Sequence, residues 1–78
     1  MKSIKVLGTG CGNCEKTAKL IQELAEEMQI PIQLEKITDL ATIMGYGILS
    51  TPGVLVDETL VHSGGVPKPK EIRAWLEG

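Results

Sequence analysis

The residues best suited to chemistry are two cysteines, Cys11 and Cys14, the only cysteines of the chain. They come directly after an apolar run and a glycine-containing turn, and directly before a pattern typical of an amphipathic helix. Free N–H groups at a helix start, together with the helix dipole, stabilise a thiolate. The pattern therefore predicts that Cys11 is the nucleophile in thiol–disulfide exchange. Cys14, one helical turn later on the same side, would resolve the mixed disulfide formed on Cys11.

The residues beside and between the cysteines, Gly10, Gly12 and Asn13, are predicted to shape this loop. Gly12 has no side-chain bulk, so it leaves the neighbouring sulfur accessible. The segment has no Lys or Arg between Thr9 and Glu15, so the helix dipole is predicted to supply most of the thiol activation. A dinucleotide-binding fingerprint is excluded because Asn13 stands where its third glycine belongs.

A soft metal ion is the alternative use of the same two thiolates, in a copper- or zinc-binding or transfer module. A closed structural zinc site needs four ligands, and His62 is the only histidine. No metal ligands are assigned for that reason, and His62 is interpreted as a solvated residue at a strand edge.

A disulfide between Cys11 and Cys14 closes a very short loop and would stabilise the fold by roughly 2 kcal/mol at best. The pair is therefore better explained by chemistry than by a structural need.

Composition limits the partners of the chain. With 78 residues it is predicted to form a single domain, residues 1–78. A net charge of −2 and an aromatic content of 3% argue against a nucleic-acid or anionic-membrane surface. No apolar run predicts a signal peptide or a membrane span. A soluble, cytoplasmic monomer is therefore expected.

The elements that must position the thiols alternate along the chain in the order β-α-β-α-β-β-α. This order predicts an α/β fold with a four-stranded mixed sheet and helices on both faces. Met28 and Met44 are predicted to lie in the core. The predicted elements are strand 4–7, helix 12–28, strand 32–37, a short helix capped by Thr38 or Asp39 that runs to Met44, strands 54–56 and 59–61 joined at Asp57-Glu58, and helix 67–76.

Three segments together resemble the thioredoxin-like superfamily, and most closely its very small redox-active disulfide members from bacteria and archaea. They are Cys11-Gly12-Asn13-Cys14 after the first strand, Ser50-Thr51-Pro52-Gly53 before the third, and Gly64-Gly65 after the fourth. The resemblance covers nearly the whole chain and implies a minimal thioredoxin-like fold. It also implies a cis Thr51–Pro52 bond beside the cysteines, with the backbone of Thr51 pairing with a bound substrate segment.

The activity that the resemblance implies is that of a thiol–disulfide oxidoreductase acting on protein disulfides. It needs no bound cofactor, and a reductase or a low-molecular-weight thiol would recycle it. The chain differs from larger thioredoxins in two ways. Those proteins have Trp at the position of Gly10, and they have a buried acidic residue that is missing here. Its Gly12-Asn13 dipeptide also differs from the Gly-Pro of thioredoxins and the Pro-Tyr of glutaredoxins. This dipeptide tunes the redox potential. Because Gly12-Asn13 matches neither typical pair, the resemblance assigns no potential to the chain.

The opening segment is also similar to a heavy-metal-associated domain, whose loop reads Gly-Met-x-Cys-x-x-Cys. Thr9 stands here where that loop has Met. Those domains close with a strand, whereas the apolar spacing of Ile72, Trp75 and Leu76 predicts a closing helix. The predicted ending therefore favours the thioredoxin-like fold.

Overall fold

The computed structural model describes residues 1–8, 12–48 and 50–78. Its elements follow the predicted order, with ends that differ from the predicted ones by at most two residues. They are β1 (Lys2–Leu7), α1 (Gly12–Glu27), β2 (Ile32–Ile37), α2 (Leu40–Gly45), β3 (Gly53–Val56), β4 (Thr59–Ser63) and α3 (Pro69–Glu77). In these three described stretches no helix is long and apolar enough to cross a membrane.

The four strands form one mixed sheet in the order β2-β1-β3-β4. α1 carries the chain from β1 to the parallel strand β2, and β3 and β4 add antiparallel neighbours. At the end of β1, Leu7 pairs with Ile37 on one side and with Gly53 on the other. This register brings Gly8, which follows β1, beside the segment that leads into β3.

Apolar side chains fill both faces of the sheet, as predicted. Alternation along β1 sends Ile4 and Val6 to the face covered by α1 and α3, and Leu7 to the face covered by α2. The larger cluster is formed by Ile4, Val6, Ala18, Ile21, Leu24, Ala25, Val54, Ile72 and Leu76. The smaller cluster is formed by Leu7, Ile43, Ile48 and Leu55. The predicted α/β fold with helices on both faces is confirmed.

The prediction that Met44 lies in the core is wrong. Its side chain is 66% exposed, whereas the preceding Ile43 is 2% exposed and packs in the smaller cluster. α2 has only six residues and buries a single position. The next residue of a helix points about 100° away, which turns Met44 towards solvent. Met28, predicted in the same way, is partly buried against the larger cluster.

The last helix begins two residues later than the apolar pattern predicts, at Pro69. A residue that precedes proline is disfavoured in the helical conformation, and Lys68 is extended, with φ −79° and ψ 150°. Lys68 is thus the N-cap, and the Glu71 carboxylate accepts a hydrogen bond from its backbone N–H at 3.1 Å. Proline fits the first helical position because its missing N–H needs no partner there.

Asp39 caps α2, and its contribution to stability is expected to fall in acid. Its carboxylate accepts hydrogen bonds from the backbone N–H and the hydroxyl of Thr42, at 3.0 and 2.7 Å, which lowers the pKa of Asp39. A group whose pKa is lower in the folded state stabilises it above the unfolded pKa and loses that effect as pH falls through the folded pKa. Asp39→Ala should lower the melting temperature at pH 7 and have a smaller effect at pH 2, as measured by circular dichroism. An equal effect at both pH values would contradict this assignment.

Candidate functional site

Cys14 lies in the first turn of α1 and is only 4% exposed. It is disulfide-bonded in the structure. The other cysteine of the sequence, Cys11, and the predicted loop residue Gly10 lie outside the described residues. A sulfur as buried as that of Cys14 is badly placed to meet a disulfide of another protein directly. Its position therefore suits the predicted resolving role.

Gly8 makes the close approach between β1 and Cys14 possible. A Cβ atom built on Gly8 would overlap the Cys14 Sγ and lie 3.0 Å from the Cys14 Cβ. The Gly8 backbone cannot readily move away, because its N–H donates to the Ile37 carbonyl at 2.9 Å. Only a residue without a side chain fits between the strand end and the sulfur.

The Thr51-Pro52 segment also lies beside Gly8. The same Gly8 Cβ position is 3.9 Å from the Thr51 Cβ. The Thr51–Pro52 peptide bond is cis, as the resemblance implies. Pro52 is buried while Thr51 is exposed, and the Pro52 carbonyl accepts a hydrogen bond from the N–H of Gly64 at 2.9 Å. Cys14, Thr51 and Pro52 thus belong to one region around Gly8.

The two residues between the cysteines occupy the start of α1, and both are exposed. Gly12 is its first residue, and a Cβ there would meet no atom within 4 Å. The Asn13 carbonyl accepts a hydrogen bond at 2.7 Å from the hydroxyl of Thr17, which is fully buried. Asn13 thereby provides a hydrogen-bond partner for the buried Thr17 hydroxyl. Gly12 leaves open space at the start of α1.

A cavity of about 10 Å³ adjoins Cys14, close to the minimum that holds one water molecule. Its lining is formed by Val6, Gly8, Cys14, Glu15, Lys36 and Thr38. At its rim the Lys36 Nζ donates to Glu15 at 3.0 Å, and both side chains are more than half exposed. Among the described residues that line this cavity, the charged ones are therefore one paired cation and anion. In residues 1–8, 12–48 and 50–78 no cluster of three or more His, Cys, Asp or Glu could hold a metal ion.

Three features are missing from the sequence-based prediction: the contact of Gly8 with Cys14, the Glu15–Lys36 pair, and the contact of His62 with Trp75. A glycine at the end of a strand can indicate that another group approaches the backbone closely. The contact at Gly8 could therefore have been suspected from the sequence. Lys36 lies 21 residues after Glu15, and only the parallel pairing of β2 with β1 brings the two together. His62 is half-buried rather than solvated, and its ring lies 5.9 Å from that of Trp75.

Comparisons with known proteins agree with this architecture. Residues 2–77 match the family model described as thioredoxin domain. A thioredoxin of Methanocaldococcus jannaschii is 34% identical over 82 aligned residues, which cover all of this chain and 94% of that protein. A thioredoxin of Methanothermobacter thermautotrophicus is 36% identical over 76 residues, 97% of this chain and 99% of that protein. The chain belongs to the thioredoxin domain family.

Proposed function

We propose that the chain is a thiol–disulfide oxidoreductase that acts on protein disulfides through Cys11 and Cys14. The observation that carries the proposal is the position of Cys14, buried and disulfide-bonded in the first turn of α1. Cys11 precedes it by three residues, which is the Cys-X-X-Cys spacing found in disulfide oxidoreductases. The thioredoxins to which the chain is similar over its whole length support the same reaction class.

In the proposed reaction the Cys11 thiolate attacks one sulfur of the substrate disulfide. The substrate S–S bond breaks, a mixed disulfide forms on Cys11, and the first substrate thiolate leaves and takes up a proton. The Cys14 thiolate then attacks Cys11 Sγ, which forms the Cys11–Cys14 disulfide and releases the second substrate thiol. Both electrons delivered to the substrate come from these two thiols, so the step needs no bound cofactor.

The docking groove is proposed to form around Thr51 and Pro52. Thr51 is exposed and lies on the same side of Gly8 as the sulfur of Cys14, so a chain bound along it would approach the thiols. Buried Pro52 is tied to the turn after β4 by the hydrogen bond from Gly64. An exposed backbone segment can bind an extended peptide through main-chain hydrogen bonds.

The recycling partner is proposed to be a reductase or a low-molecular-weight thiol, which returns two electrons to the Cys11–Cys14 disulfide. A cytoplasmic location fits this cycle, since thiols are kept reduced in that compartment. We also propose that the protein acts as a monomer, with residues 1–78 forming one domain.

The proposal is tested by following the reduction of insulin disulfides with dithiothreitol as the electron donor. The wild-type protein should accelerate the reduction in proportion to its concentration. Cys11→Ser, which lacks the attacking thiolate, should reduce the rate to the uncatalysed background. A wild-type protein without any effect, or a Cys11→Ser variant that retains the full rate, would contradict the proposed function.

A further inference from the structure

The turn that follows β4 contains two consecutive glycines in the left-handed region, Gly64 at φ 82° and Gly65 at φ 71°. Glycine loses more conformational freedom on folding than any other residue, so such a turn needs contacts that hold it in one conformation. Gly64 has one: its N–H donates to the Pro52 carbonyl at 2.9 Å. A Cβ on Gly64 would lie 3.2 Å from the Cβ of exposed Ser50. The turn therefore borders the proposed docking groove directly.

His62 supplies the second contact. Its Nε2 lies 2.9 Å from the Gly65 carbonyl oxygen. A carbonyl oxygen can only accept, so Nε2 carries the hydrogen and donates it. On its other side the imidazole contacts the Trp75 ring, at a centroid distance of 5.9 Å and an interplanar angle of 49°. Trp75 in turn packs against the larger core cluster, so the imidazole links the turn to the body of the fold.

We propose that His62 is a positioning residue for substrate docking: its hydrogen bond to Gly65 fixes the Gly64-Gly65 turn against Pro52, and it thereby preorganises the groove for a protein disulfide. This inference rests on the proposed function. A groove ordered before binding costs less entropy to occupy, so the contribution of His62 appears in substrate affinity and not in the exchange between sulfurs. A small disulfide that does not need the groove is unaffected.

Two variants separate the hydrogen bond from the ring contact. His62→Phe keeps an aromatic ring against Trp75 but removes the donor to Gly65. His62→Gln keeps an Nε2 donor and removes the ring. His62→Phe should raise the KM for insulin about fivefold at unchanged kcat, the factor that the loss of one hydrogen bond typically produces. Its rate with hydroxyethyl disulfide should equal that of the wild type, and His62→Gln should retain more of the insulin affinity than His62→Phe.

A second measurement does not depend on activity. The Gly64 amide, bonded to the Pro52 carbonyl, should exchange its hydrogen about fivefold faster in His62→Phe than in the wild type, and more slowly in His62→Gln than in His62→Phe. Unchanged exchange together with an unchanged KM for insulin overturns the inference. It is also overturned if His62→Phe slows the small and the protein disulfide equally, since His62 would then act on the thiols.

The two proposals fail in different ways. A wild-type protein that reduces no disulfide refutes the proposed function, and Gly64 exchange then decides by itself whether His62 holds the turn. A wild-type protein that turns over insulin normally, with a His62→Phe variant identical to it in KM and exchange, refutes only the role of His62.

Discussion

Cys14→Ser is expected to stop multiple turnover and to accumulate a mixed disulfide between Cys11 and the substrate. The serine hydroxyl is far less nucleophilic than a thiolate, so it cannot attack Cys11 Sγ to release the second substrate thiol. About one equivalent of substrate should become bound covalently per protein chain. Mass spectrometry under non-reducing conditions measures the adduct, and dithiothreitol should reverse it.

The matched control is Cys11→Ser, which should form no adduct, since buried Cys14 has little access to a protein disulfide. If Cys11→Ser accumulated the adduct and Cys14→Ser did not, the assigned roles of the two cysteines would be reversed. Continued turnover by Cys14→Ser would show that the reaction does not pass through an intramolecular disulfide.

Gly8→Ala is expected to lower the free energy of unfolding more than a Gly→Ala substitution at any other described glycine near the site. The new Cβ would overlap Cys14 Sγ, and the backbone of Gly8 is held to Ile37 by a hydrogen bond. Overpacking of this kind costs about 1–3 kcal/mol. Because the atom displaced is the proposed resolving sulfur, insulin reduction should slow as well. Urea denaturation measures the free energy of unfolding.

Gly45→Ala provides the control, because a Cβ there meets no atom within 4 Å and Gly45 is not at positive φ. It should leave stability unchanged or raise it by about 0.4–1 kcal/mol, through the lower entropy of the unfolded chain. In a Cys14→Ala background the cost of Gly8→Ala should fall by about 1 kcal/mol, since the overlapping sulfur is gone. An undiminished cost there would show that Gly8 is required for another reason.

Much of this fold can be predicted from local patterns. The period of Ala18, Ile21, Leu24 and Ala25 identifies α1, and the alternation of apolar residues identifies the strands. The Asp57-Glu58 turn is also visible, and both residues adopt the positive φ that a tight hairpin turn requires. These features depend on neighbours close in sequence, which is why they can be predicted without a structure.

What sequence patterns miss depends on contacts between distant segments. Met44 fits an apolar period, but a helix as short as α2 buries one residue and leaves the next exposed. His62 gives no local signal, because its partners come from the turn after β4 and from α3. Gly8 can be identified from the sequence as a turn residue. That its neighbour in space is Cys14 cannot, because this contact depends on how α1 packs on the sheet.

The most direct test of the account is the redox equilibrium of the purified wild-type protein with mixtures of reduced and oxidised dithiothreitol. Alkylation followed by mass spectrometry counts the free thiols at each potential. We predict a single two-electron transition from two free thiols to none, in which the oxidised-to-reduced ratio changes tenfold for roughly every 30 mV. Neither Cys11→Ser nor Cys14→Ser should show it. A wild-type protein that forms no intramolecular disulfide, or that keeps both sulfurs on a stoichiometric metal ion across the titration, would contradict the account.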